Sequence, residues 1–202
     1  MTKVFFDISM SLDGYITAGN QTPEAPLGEG GERLHEWAFG EDERDREVLA
    51  SGVGGTGAVI CGRRTYEDSL RWWGADGPTG PARLPVFVLA SEVPADVPEG
   101  SVYAFVNGGP EAALESAREA AAEQDVTVMG GARTGRSFIA AGLVDELSIH
   151  LVPVLFGGGT RMFEGLSTPA LENRSCVQTP TATHLRFSVQ RPEQDSNLRP
   201  IP

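Results

Sequence analysis

Twice in this chain a short, continuously apolar run passes through glycine straight into a helix-forming segment. AVIC at 58–61 leads through Gly62 into RTYEDSL-type sequence, and VTVM at 126–129 leads through Gly130 and Gly131 into ARTGRSFIA. Runs of this length and character are strands buried on both faces. Two strand-to-helix units commit a chain to a largely parallel sheet with helices on both sides. The remaining segments fit that frame. Strands are predicted over 3–9, 86–89 and 102–106, and helices over 32–39, 42–50 and 65–70. An alanine-rich helix over 110–123 carries Pro110 in its first turn. A helix over 133–141 is stopped by Gly142. A long strand over 146–155 is broken by Gly157, Gly158 and Gly159. Segments 171–177 and 183–190 follow with no helix between them, which predicts an antiparallel hairpin at the edge of a mixed sheet. The fold class is α/β, in one domain over 1–190. The polar, proline-bearing tail 191–202 predicts disorder.

Charge narrows the partners. The chain of 202 residues has a formal net charge of −12, which repels nucleic acid and anionic membrane surfaces at long range. No apolar run approaches the roughly 18 residues that span a bilayer. The start, MTKVFFDISMSLDG, lacks the charged, apolar and small-residue segments of a signal peptide, so a cytoplasmic location is expected. Cys61 and Cys176 are the only cysteines. Neither belongs to a Cys/His cluster, so no metal site is expected, and two reduced, buried thiols are. The helix over 42–50, heavily charged, reads as a solvated surface helix.

Against an acidic background, arginines beside glycines stand out. Gly62, Arg63, Arg64 and Thr65 lie where one strand becomes a helix; Gly130, Gly131, Ala132, Arg133 and Thr134 lie where another does. Glycine allows close approach, helix N-termini offer unpaired N–H groups and a positive dipole end, and guanidinium groups grip a phosphate with a fork of donors. Two such junctions suit a dinucleotide carrying an extra phosphate. Two other patterns are weaker. Gly52 to Gly57 fits GxGxxG but precedes its strand, the reverse of the order a pyrophosphate site needs, and reads as a flexible connection. Gly130 to Ser137 nearly fits GxxxxGK[ST], but Arg136 stands where lysine is required.

These pieces together resemble the dihydrofolate reductase-like superfamily. The nearest likeness is the reductase domain of the bifunctional riboflavin-biosynthesis deaminase/reductase and its stand-alone bacterial relatives. The residues that carry it are SLDGYI at 11–16, ICGRRTY at 60–66, VMGGA at 128–132, LVDEL at 143–147, PVLFG at 153–157 and RMF at 161–163. The resemblance implies a mixed sheet flanked by helices, NADPH as hydride donor, a small heterocyclic substrate and a homodimer. It places Gly62, Arg63, Arg64 and Thr65 at the adenosine phosphates, with Ser91 joining the arginines at the 2′-phosphate. Gly130 to Thr134 would hold the pyrophosphate, and Gly14 and Ile16 would lie near the nicotinamide.

The substrate half is less marked. Asp13 is the carboxylate in the position that riboflavin-pathway reductases share, and Asp-Gly is equally a turn dipeptide. Glu36, with Glu32, is the alternative on the first helix; His35 and Trp37 read either as pocket or as packing residues. A second class of function stays open: a non-catalytic, dimeric nucleotide-binding protein on the same fold.

Overall fold

A computed structural model describes residues 2–166 and 169–190. The predicted tail 191–202 lies outside the described residues. One eight-stranded sheet organises the molecule. The chain runs through β1 (Val4–Ser11), a 3-10 turn (Gly31–His35), α1 (Glu36–Phe39), α2 (Glu43–Gly55), β2 (Thr56–Gly62), α3 (Arg63–Trp73), a 3-10 turn at Gly80–Ala82 and β3 (Val86–Leu89). It continues through β4 (Tyr103–Val106), α4 (Gly109–Ala121), β5 (Asp125–Met129), α5 (Ala132–Ala140), β6 (Glu146–Val152), β7 (Leu171–Gln178) and β8 (Thr183–Val189). The strand order is β4-β3-β2-β5-β1-β6-β8-β7. The first six pair in parallel, and β8 and β7 are antiparallel. The expected α/β fold with a closing hairpin is therefore what the chain forms.

Period-2 alternation explains why the parallel strands read as continuous apolar runs. Ala58 and Ile60 of β2 pack with Val126, Val128, Ala113, Ala117 and Phe138 on one face, under α4 and α5. Val59 and Cys61 of the same strand pack with Tyr66, Val86 and Val88 on the other face, under α3. A smaller cluster of Leu34, Trp37, Val152, Val154 and Ala182 seats the first helical segments.

Four expectations are corrected. The segment 32–39 splits into a 3-10 turn and a single α-helical turn. The glycines at 52–55 are the last turn of α2 rather than a flexible connection. Helix α2 is not simply a solvated surface helix, because Asp45 is buried. Cys176 is exposed; Cys61 alone is buried, and burial pushes its thiol up to about 12, which leaves it inert.

Candidate active site

Strands β2 and β5 are neighbours, yet their chains leave in opposite directions. From β2 the path crosses α3 to β3; from β5 it crosses α5 to β6, on the far side of β1. That is a topological switch point, where the crevice beyond the carboxyl ends of parallel strands takes ligands. The N-termini of α3 and α5 flank it. Neither is capped by a side chain, so first-turn N–H groups and two positive dipole ends are left for a ligand.

The two junctions interlock. Thr65 Oγ1 accepts the Gly131 N–H at 2.9 Å. Gly130 adopts φ +93, and a Cβ there would lie 2.4 Å from Thr65 Cγ2. At Gly62 a Cβ would lie 2.3 Å from Thr134 Oγ1. Each glycine is thus required by the other junction's threonine, and the pair forms one cradle rather than two turns. Arg63 donates to Glu67 at 2.7 Å and Arg64 to Asp68 at 3.3 Å, both along their own helix. These are exposed i,i+4 pairs, weak enough to give way to a phosphate.

The cradle opens into a cleft of about 1910 Å³, more than a small ligand needs and enough for a dinucleotide with a second ring beside it. Ile16, Glu36, Gly62, Arg63, Arg64, Thr65 and Ser91 line it, and so do Gly130, Gly131, Ala132, Arg133 and Thr134. Glu32, His35 and Trp37 are at its wall. Asp13 and Gly14 do not join them. The Asp13 carboxylate accepts from Ser11 Oγ at 2.7 Å and from the Gly157 and Phe156 N–H groups at 2.8 and 3.2 Å. It ties the SLDG turn to the glycine triplet, the turn role its dipeptide allows. Arg136 is likewise turned away from the cradle, donating to the Met162 and Arg161 carbonyls. That geometry removes the phosphate-loop reading.

The sequence reading missed a carboxylate. Asp7, in the middle of β1, lines the cleft and meets His150 Nε2 at 3.1 Å. His150 continues to His184, and His184 to Asp45. A charged or imidazole side chain inside an apolar strand is the signal that marks Asp7, His150 and His184, in VFFDIS, ELSIHLV and THLRF; Asp45, on the charged helix α2, carries no such mark. Trp37 packs against both imidazoles and donates its Nε1–H to Ser9 Oγ at 2.9 Å, so its packing role is real.

Protonation follows from these contacts. Burial pushes the Asp7 carboxyl up, but His150, Ser148 and Arg186 together hold it below the ordinary 3.8. Burial likewise opposes, and the hydrogen bonds from Thr181, His184 and Thr179 overcome, at Asp45. At Asp13 burial is overcome by Ser11, Gly157 and Phe156. His35 and His184 lie below 6.5, first because of burial. All five groups bind protons less readily folded than unfolded, so the unfolded chain gains protons first as pH falls. The histidine contribution is full above 6.5 and declines below it. The carboxylate contribution is full above 3.8 and is lost as pH falls through the lower folded values. Urea midpoints measured across the acid range should therefore drop in two stages; a midpoint that rises from pH 6.5 down to about 5 contradicts the assignment.

Against known proteins, a family model described as the RibD C-terminal domain matches residues 2–185. The chain belongs to that family. No curated protein matches it in sequence. Solved structures share the fold of this RibD C-terminal domain. A protein from Shewanella sp. PV-4 assigned to riboflavin biosynthesis is similar at a TM-score of 0.70 and 22% identity, over 94% of this chain and 100% of its own. The Thermotoga maritima diaminohydroxyphosphoribosylaminopyrimidine deaminase/5-amino-6-(5-phosphoribosylamino)uracil reductase is similar at 0.62 and 15% identity, over 94% of this chain and 57% of the bifunctional enzyme. Dihydrofolate reductase from Enterococcus faecalis, complexed with NADP(H), is similar at 0.57 and 16% identity, over 94% and 97%. Among the described residues no helix is long and apolar enough to cross a membrane, and no group of three or more His, Cys, Asp or Glu is placed to hold a metal ion.

Proposed function

We propose that the chain is an NADPH-dependent oxidoreductase that transfers a hydride to a small heterocycle, in the manner of 5-amino-6-(5-phosphoribosylamino)uracil reductase or dihydrofolate reductase. The observation that carries this reading is the interlocked pair of uncapped helix N-termini at the switch between β2 and β5. Its chemistry is that of a pyrophosphate cradle, and the arginines at its rim add sites for a 2′-phosphate. When bound, NADPH supplies the hydride. The residues of the chain position it: Gly62, Thr65 and Gly130 to Thr134 around the pyrophosphate, Arg63, Arg64 and Ser91 around the 2′-phosphate, Ile16 beside the nicotinamide. Positioning is most of what hydride transfer asks of a protein.

Asp7, Glu32 and Glu36 line the cleft, as do Asp68, which pairs with Arg64, and Asp125, which accepts the Lys3 N–H. The orienting role therefore falls to Asp7 and Glu36, with Asp13 fixing the loop behind them. The same reading carries a homodimer, for which the exposed edge strand β7 offers unpaired backbone.

Two measurements test it. Titration with NADPH and NADH should show tighter binding of NADPH. Replacing Arg63 and Arg64 together with alanine should reduce NADPH affinity by at least about tenfold more than NADH affinity. Equal losses would remove the 2′-phosphate assignment. Oxidation of NADPH should accompany reduction of one of a panel of pterins, flavins and 5-amino-6-(5-phosphoribosylamino)uracil. Binding with no acceptor consumed would favour a non-catalytic nucleotide-binding dimer.

A further inference from the structure

Four side chains from four elements form an unbroken polar line through the core. Asp7 Oδ2 on β1 lies 3.1 Å from His150 Nε2 on β6. His150 Nδ1 lies 2.7 Å from His184 Nδ1 on β8. His184 Nε2 lies 2.7 Å from Asp45 Oδ1 on α2. Asp45, His150 and His184 are 1%, 3% and 5% exposed. The Asp7 side chain is 37% exposed and lines the cleft. The line is sealed at Asp45 and open at Asp7. Trp37 closes its flank, with ring centroids 4.1 Å from His150 and 4.9 Å from His184.

Proton counting gives this line a property that the hydride site does not explain. Each contact needs one proton, because two facing lone pairs repel and two facing N–H groups clash. Ionised carboxylates supply none and neutral imidazoles one each. Three contacts need three protons, one more than two neutral histidines bring, whichever tautomers they adopt. With both carboxylates ionised, the line holds one extra proton and a net charge of −1.

The surroundings fit that count. Thr181 Oγ1 donates to the second Asp45 oxygen while His184 meets the first, and these contacts favour the ionised form of Asp45. Ser148 on β6 and Arg186 on β8 favour the ionised form of Asp7. Arg186 is shared with Glu146, 3.8 Å away. His35, beside α1, faces His150 and Asp7 and is held neutral chiefly by burial. Burial, against the pull of Asp45, disfavours charge on His184. Of the two carboxylate ends, Asp7 is the one that reaches the cleft, so the line exchanges its proton there.

We propose that the Asp7–His150–His184–Asp45 line stores one proton and releases it through Asp7 to the acceptor as the acceptor is reduced. Delivery rests on the reductase reading above. The acceptor carbon gains the hydride with its bonding pair. The π pair of the C=N or C=O bond moves onto the heteroatom, which takes the stored proton to form N–H or O–H. The reductant is the nicotinamide cofactor already named. The line, left with two protons for three contacts, regains its third from water through the cleft. Asp7 touches the acceptor; His150, His184 and Asp45 act through it.

The chain has three histidines, so ¹⁵N-histidine NMR of the full chain resolves the storage step without a variant. From about pH 5 to about pH 9, His150 and His184 should lose a single proton between them in one shared transition, with His35 titrating apart. Two imidazoles that stay neutral throughout, or that titrate with independent midpoints, overturn the stored proton. Delivery is read from NADPH oxidation with 5-amino-6-(5-phosphoribosylamino)uracil and with dihydrofolate. His184→Gln should lower kcat at least about tenfold with KM nearly unchanged, and shift the pH midpoint of kcat by about one unit. An unmoved pH profile overturns delivery. If no acceptor of the pterin, flavin and pyrimidine panel is turned over while the shared transition is present, the reductase reading falls and delivery with it, but storage stands.

Discussion

Asp45→Ala should destabilise the fold by about 3–5 kcal/mol, a large fraction of the margin of a domain this size. Asp45 sits in the first turn of α2, and its carboxylate is fully buried against His184 and Thr181. Removing it strands His184 Nε2 in the interior and takes the acceptor from the Thr181 hydroxyl. It also cuts the polar tie between α2 and the turn joining β7 to β8. The N-cap of α2 is untouched, because Asp42 supplies it through the Arg44 and Asp45 N–H groups. The loss is therefore assigned to the buried pair and not to helix capping. Urea unfolding at neutral pH measures it, and Asp45→Asn, which keeps the shape and one acceptor oxygen, should lose less. A change within about 0.5 kcal/mol for the alanine variant would mean that Asp45 behaves as a surface residue.

Gly130→Ala should cost about 2–4 kcal/mol and abolish dinucleotide binding. Two effects add. The backbone at Gly130 has φ +93, where an L-residue is strained. The new methyl would also meet Thr65 at 2.4–2.9 Å. Thr65 has no room to yield, since its hydroxyl holds the Gly131 N–H. The junctions must then part, and the helix N-termini no longer converge on one ligand. Gly131→Ala is the matched control. Its φ is −56, and the nearest protein atom to its new Cβ would be 3.5 Å away, so thermal unfolding should leave its stability close to the parent. If both variants bind NADPH like the parent, the cradle is not where the pyrophosphate sits.

The two strand-to-helix junctions were legible because their information is local. A strand, a glycine and a helix start are contiguous in GRRT and GGART, and elementary rules for helix ends and glycine say what such a junction offers. Chain direction also excluded the GxGxxG pattern, whose Gly52 and Gly54 close α2 and whose Gly57 already lies in β2. Local reading failed where one pattern served two purposes. Asp13-Gly14 was compatible with a turn and with a site, and only the distances from Asp13 to Ser11, Phe156 and Gly157 show what the carboxylate holds.

The sequence by itself determined the layered α/β fold, the two glycine-bearing strand-to-helix junctions and the hairpin that ends the sheet. Each depends on neighbours within a few residues or on a period of two. The tertiary structure alone decided that the junctions interlock, because Thr65 and Gly131 meet only once β2 and β5 pair. It alone also decided the line from the cleft to Asp45. Residues 7, 45, 150 and 184 have no spacing in common; they meet because the sheet order sets β1, β6 and β8 side by side and α2 packs Asp45 against them. Burial supplies the reason they matter. In water four such side chains would ignore one another, whereas in the core each must find its proton from the next.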